Sequence, residues 1–459
     1  MAKFADLPDD ATCRELYALA STAYGWKRLN IDDIPLNLDN CREASPTALR
    51  RELLQALRID ANWKSESTRV KKRVQFNHGD FIYFVHLLHD DIVFTLSRNG
   101  LTDIAYLSAW KVGPNKNSLR RLGKVEPVFR GISLLPSKIS ATVHTKEEKA
   151  LIVALTETGT NGYLQFFTLS LRPEDWGTNA PYPALFLEDS IDVIPNGSRA
   201  RVHDIQIYDS IIIASYTELS QPPANDPLYY DLIVLDIEQQ HARSINVGSN
   251  EDTVGDKFVF KLLPDAVLTI TSRSEDGVAS VYDLKILLES SSPANTTFSV
   301  QPETIHDTGS LRTQYRSKFF SAQYSIYLPL ESISQTPIDV PSIAVNKETG
   351  EACLFRLEIP KGRISEDERE GPILIEPQTY FQMRPGPKLD FVNLGPTGHR
   401  MIWMEILPSD GVRIMNAVFP TSGEKDTVIS ELLPQNRPPV KYSDCLALWL
   451  DERRGRITV

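Results

Sequence analysis

The densest group of metal-type donors in the chain is His86, His89, Asp90 and Asp91, in the string HLLHDD. Imidazole nitrogens and carboxylate oxygens are ligands a zinc ion accepts. Their spacing opposes that use, because residues three apart on a strand project to opposite faces and the two imidazoles separate. The string reads instead as a strand running into a polar turn. The other histidines, His78, His144, His203, His241, His306 and His399, are scattered singly. No metal site is expected.

Nucleophile chemistry has equally little footing. The sequence holds no G-x-S-x-G elbow, no H-E-x-x-H pair and no phosphate loop; the stretch from Gly113 to Lys124 has the wrong spacing and no Ser or Thr after its Lys. Cys13, Cys41, Cys353 and Cys445 are far apart and form no C-x-x-C pair, so neither a disulfide framework nor a zinc knuckle is indicated. With 60 Asp and Glu residues, carboxylate pairs abound and sequence order selects none. The expectation is a protein with no catalytic residue and no cofactor.

Two charge runs stand out. Arg69, Lys71, Lys72 and Arg73 are basic, and Ser365 to Glu370 (SEDERE) is acidic. Both read as solvated linkers or loops, or as the flanks of a protein-binding surface that steers a partner by charge. Trp26 and Trp63 are expected to pack at helix ends. Tyr229, Tyr230 and Trp403 are the aromatic candidates for partner contact.

The elements that must position these residues change character near residue 70. Cys13, Leu16, Tyr17, Ala20, Ala23 and Tyr24 recur at steps of three and four, predicting a helix from about Asp10 to Trp26. A second helix begins at Ser45 as N-cap with Pro46 behind it, and carries Leu49, Leu53, Leu54 and Leu57 as its apolar stripe. Beyond Val70 the apolar residues alternate or run in short blocks bounded by Gly, Pro, Asn, Asp and Ser, which are strand and turn signals. They gather into groups at Phe81–Val112, Ile139–Leu171, Arg201–Glu238, Phe258–Ile286, Lys318–Ile359, Phe391–Phe419 and Tyr442–Val459. Such recurrence predicts a mainly β chain: a β-propeller of six or seven degenerate WD-like blades, preceded by a short α-helical segment. The division is a helical segment over 1–65 and a propeller over 70–459. Two β-sandwiches are the competing architecture. Lys71–Phe76 is expected to pair with the last group and close the ring.

Composition sets further bounds. The 459 residues carry a net charge of -11, with 41% hydrophobic and 24% charged residues. This excludes a disordered chain and a generally basic nucleic-acid surface, while leaving room for a local basic patch. The opening MAKFADLPDD has no apolar core of a signal peptide, and no run approaches the roughly 18 apolar residues of a membrane span. An intracellular monomer, cytoplasmic or nuclear, that binds neither nucleic acid nor membrane is expected.

Three phrases of the N-terminal region and one from the last strand group carry a resemblance. TCRELYALASTAYGWKRL (Thr12–Leu29), IPLNLD (Ile34–Asp39) and LRRELLQALRIDANWKS (Leu49–Ser65) occur in that order, with DERRGRI (Asp451–Ile457) in the last strand group. The set resembles fungal, basidiomycete-type F-box proteins with a propeller-like C-terminal region. The resemblance implies a substrate-recognition subunit of a cullin-RING ubiquitin ligase, binding a Skp-type adaptor and an unknown protein substrate. Its residual F-box helices would offer Cys13, Leu16, Tyr17 and Trp26 to the adaptor. Only eleven residues precede Thr12, so the first half of the F-box is expected to be missing and adaptor docking impaired. The alternative is a propeller scaffold with no ligase link.

Overall fold

The computed structural model describes residues 54, 57–59 and 61–65 and, from 80 to 458, the strands given below with the short turns that join them. Sheet 1 is β1 (Phe81–Leu88), β2 (Ile92–Arg98), β3 (Ala105–Val112) and β4 (Leu119–Val125). Sheet 2 follows as β5 (Ile139–Lys146), β6 (Lys149–Thr158), β7 (Asn161–Ser170) and β8 (Leu185–Asp192), and sheet 3 as β9 (Arg199–Tyr208), β10 (Ile211–Leu219), β11 (Leu228–Asp236) and β12 (His241–Asn250). Sheet 4 takes β13 (Phe258–Leu262), β14 (Ala266–Ser272) and β15 (Gly277–Asp283). After helix α1 (Leu284–Glu289) and the short strands β16 (Ser292–Pro293) and β17 (Glu303–Thr304), it ends on β18 (Leu311–Ser317). Sheet 5 is β19 (Tyr324–Tyr327), β20 (Ile338–Asn346), β21 (Glu351–Ile359) and β22 (Ile375–Gln382). Sheet 6 is β23 (Leu389–Leu394), β24 (Arg400–Ile406), β25 (Gly411–Val418) and β26 (Val428–Glu431), with β27 (Val440–Lys441) paired to β25. A hairpin of β28 (Trp449–Asp451) and β29 (Arg456–Thr458) makes sheet 7.

Successive strands of each sheet pair antiparallel in chain order, the arrangement short turns permit. The first strands then touch one another in series: β1 meets β5, β5 meets β9, β9 meets β13, and β23 meets β19 and β28. Finally β28 and β29 return to β1. The sheets therefore stand as antiparallel blades in a ring, a β-propeller, and the two-sandwich alternative is displaced. The sheets are unequal: β16 and β17 join sheet 3, β27 joins sheet 6, and sheet 7 is a lone hairpin. The six or seven similar blades expected from the sequence thus do not map one to one onto them. Lys71–Phe76 and the helix of 10–26 lie outside the described residues.

The core sits between the blades, and period-two alternation explains it. On β24, Met401 and Trp403 pack with Ile343, Val345 and Phe381 of sheet 5, while Ile402 and Met404, one residue out of phase, face the other way. On β14, Ala266, Leu268 and Ile270 meet Val340 and Phe355 of sheet 5, whereas Val267 meets Ile213 and Val234 of sheet 3. Strands buried on both faces favour unbroken apolar runs, as in Ala266–Leu268 at the start of AVLTITS. Between sheets 1 and 2, Phe94, Leu96 and Leu107 pack on Ile152, Phe167 and Leu185. The described N-terminal residues 54, 57–59 and 61–63 are helical. Trp63, 3% exposed, and Ile59 cover the Ile402/Met404 face of sheet 6 together with Val412, Ile414 and Leu432. The guanidinium of Arg400 lies 5.3 Å from the Trp63 ring centroid. This helix occupies the flank of sheet 6 opposite sheet 5.

Candidate functional site: a basic and aromatic face on the first sheet

Two phases of β3 decide what sheet 1 presents. Leu107 and Ala109 point into the core shared with sheet 2. Tyr106, Ser108 and Trp110 consequently occupy the opposite face. On β4, Lys124 pairs with Ser108 and Arg121 with Trp110. Residues three apart on a regular strand would fall on opposite faces. Here the register shifts between Ala109 and Trp110, adding one residue to β4 between Arg121 and Gly123. This β-bulge at Leu122 brings both cations to the Tyr106/Trp110 side.

Cations stack on aromatic rings along that face. Lys124 Nζ lies 4.2 Å from the Tyr106 centroid, and the Arg121 guanidinium 5.9 Å from that of Trp110. Trp110 Nε1 donates to Thr95 Oγ1 at 3.1 Å, and the Tyr106 hydroxyl donates to an Asp80 carboxylate oxygen, so both rings are held in place. Across the strand, Lys111 Nζ lies 4.5 Å above the Trp176 ring, and Arg120 donates to the Trp176 carbonyl. Trp176 closes the 3-10 turn Pro173–Trp176 and donates from Nε1 to Ser170 O at 2.9 Å. Arg120, Arg121 and Lys124 are exposed. β4 is the last strand of its sheet, pairing with β3 alone among the described residues. From Lys111 to Lys138 the chain has seven basic residues and one acidic, against a whole-chain net charge of -11.

Elsewhere the polar groups brought together brace the ring. Arg312, 4% exposed, donates from Nε and Nη2 to Asp283 Oδ2 at 3.1 and 3.0 Å, and from Nη1 and Nη2 to the Asp265 carboxylate and carbonyl at 3.0 and 2.7 Å. The Gln206 amide spans from sheet 3 to sheet 4, donating to Phe260 O and accepting from Leu262 N, each at 2.9 Å. Lys261, 1% exposed, donates to Pro329 O at 2.8 Å. Burial pushes the Cys353 thiol up to about 11, which leaves it protonated and inert at neutral pH.

Of the residues singled out in the sequence, His86 stands on β1, stacked on Phe84 with centroids 6.1 Å apart. Burial drives its imidazole down to about 3, so it is neutral. His89, Asp90 and Asp91 lie outside the described residues, as do Cys13, Leu16, Tyr17, Trp26 and both charge runs. Among the described residues no group of three or more His, Cys, Asp and Glu is placed to hold a metal ion. Trp403, expected as a contact on a loop, is instead in β24 and 1% exposed, donating to Glu405 Oε1 at 3.2 Å. Its apolar neighbours Ile402 and Met404 make it a core strand residue. Tyr229 and Tyr230 fall within β11. Sequence reading missed the sheet 1 face because a bulge overturns the spacing rule; the excess of basic residues over 111–138 was the available signal.

No family model matches the chain, and no curated protein matches it. Among solved structures it is similar to a Lactobacillus plantarum protein at 12% identity and TM-score 0.40, over 77% of this chain and 84% of that one. The Nup133 β-propeller domain of Vanderwaltozyma polyspora is similar at 11% and 0.31, over 55% and 65%, and prolyl oligopeptidase B of Galerina marginata at 9% and 0.36, over 91% and 48%. At these identities and TM-scores the likenesses say nothing of function. No helix among the described residues is long and apolar enough to cross a membrane.

Proposed function

We propose that this chain is a non-enzymatic protein-interaction scaffold whose propeller rim holds another polypeptide. One observation carries the reading: in a chain of net charge -11, exposed Arg121 and Lys124 are held over the Trp110 and Tyr106 rings on one side of the edge strand of sheet 1. A rigid, pre-positioned patch of one charge sign selects and steers a partner of the other. Arg312, Gln206 and Lys261, by contrast, are engaged in bracing strands and sheets to one another.

The narrower proposal is an F-box-family substrate receptor of a cullin-RING ligase, and its support is the N-terminal phrases containing Cys13, Leu16, Tyr17 and Trp26. The propeller would then hold a substrate protein near the transfer site and raise its effective concentration there. The ring in this reading has seven positions, six filled by sheets 1 to 6 and the seventh by the β28–β29 hairpin.

A photo-crosslinking residue placed at Arg121 of the full chain, expressed in a eukaryotic cell, is expected to trap one or a few discrete polypeptides. A smear proportional to protein abundance would sink the scaffold proposal. Gel filtration with purified Skp-type adaptor bears on the narrower reading: co-elution supports the ligase receptor and overturns the expected impairment of docking, and separate peaks leave the propeller scaffold with no ligase link ahead.

A further inference from the structure

The geometry points to an acidic extended peptide as the occupant of sheet 1, adding as a strand to the outer edge of β4; this rests on the scaffold reading and names its partner class. A terminal strand presents a row of backbone N–H and C=O groups, and a peptide pairing with them takes register from that row. Side chains of an added strand alternate between faces, so every second one lies on the Tyr106/Trp110 side. There it meets Arg121 and Lys124, which the bulge at Leu122 has placed on that side together. The intervening side chains lie toward Trp176, where Lys111 is already directed at the ring and Arg120 at the carbonyl of that residue. Glutamate or aspartate at alternate positions therefore matches the exposed Arg121 and Lys124, while the other positions accept small polar residues.

Charge complementarity favours this occupant over nucleic acid. The cations form a short cluster in a chain whose remaining residues are strongly acidic, and a long polyanion would meet that field on either side of it. A strand of a few residues fits within the length of β4, and the edge hydrogen bonds give it affinity that a phosphate backbone cannot obtain from the same groups.

The test uses fluorescence anisotropy with the full chain and a fluorescein-labelled decapeptide of alternating Glu and Thr. Saturable binding that weakens with added salt is expected. The same composition in two blocks, five Glu followed by five Thr, and the alternating peptide with two central prolines, should each bind about tenfold more weakly. The double variant Arg121→Glu with Lys124→Glu should lose about tenfold or more as well. If that variant does not fold, as judged by circular dichroism, Lys124→Gln and the peptide series still decide the matter. Equal binding of alternating and block peptides overturns strand addition, tighter binding of a dT12 oligonucleotide overturns the acidic peptide, and a concentration-dependent dimer lost in the double variant assigns the edge to a second copy. Crosslinked partners retained unchanged by that double variant would sink this inference while leaving the scaffold reading intact; loss of partners at every rim position would sink both.

Discussion

The side-chain amide of Gln206 meets Phe260 as a neighbouring strand would, donating from Nε2 to the Phe260 carbonyl at 2.9 Å while its Oε1 accepts from Leu262 N–H two residues on. β9 thereby satisfies part of the free edge of β13 without pairing with it. Side-chain and main-chain groups are interchangeable at such an edge as long as donor meets acceptor.

Gln206→Leu keeps the volume and deletes both bonds, leaving the Phe260 carbonyl and Leu262 N–H unsatisfied. A loss of about 2–3 kcal/mol is expected from the urea unfolding midpoint, since an unmade bond at a part-buried group costs more than its net worth. An unchanged midpoint would show that water replaces the amide.

Trp63→Ala should cost about 3–5 kcal/mol, because it opens a cavity against Ile402, Met404 and Leu432 and strips the ring from Arg400. Trp63→Phe retains most of the contact and should lose less. Equal, small losses in both variants would mean that the helix does not hold sheet 6.

Gly277 begins β15 where a Cβ would lie 2.2 Å from the Phe320 carbonyl oxygen and 2.5 Å from its Cβ. Backbone cannot yield as a flexible side chain can. Gly277→Ala should destabilise by about 1–3 kcal/mol in thermal or urea unfolding. Phe320 lies in the cluster joining sheets 4 and 5, so the damage should spread to that junction.

His86 should make the chain acid-labile. Its imidazole is lowered from 6.5 to about 3 by burial, so between those values the unfolded chain binds the extra proton. Stability is then full above pH 6.5 and falls on acidification by up to about 1.4 kcal/mol per pH unit. Urea midpoints at pH 7.5, 6 and 5 should decline for the wild type and decline less for His86→Phe. Parallel curves would assign the acid sensitivity to other groups.

Much of the ring was legible in the sequence because a strand buried between two sheets leaves a local signature: AVLTITS, KALIVALTE and RMIWMEI each announce themselves within seven to ten residues. Trp63 was readable as a packing residue from its place near a helix end. The Arg312 clamp was not, since Asp265 and Asp283 lie 47 and 29 residues away and come near only when sheet 4 is assembled. Nor was the Arg121/Lys124 pair. A bulge is a one-residue change of phase, and nothing local in LRRLGKV marks which residue is extra. Trp403 failed as a surface candidate because an indole with an adjacent carboxylate partner can be buried without leaving its N–H unmade.

The contact of β28 and β29 with β1 also governs when the ring can exist. These strands lie roughly 360 residues apart, and joining ends at such a separation costs on the order of 5 kcal/mol of chain entropy before any local pairing rewards it. On a ribosome, β1 is made long before β28 and β29 and waits for them. Sheets 1 to 6 can pair within themselves during synthesis, but the seam cannot form until β28 and β29 have left the exit tunnel. A slow final closure after fast local hairpins is therefore the expected order of folding, with the unsealed arc as the species a chaperone would meet.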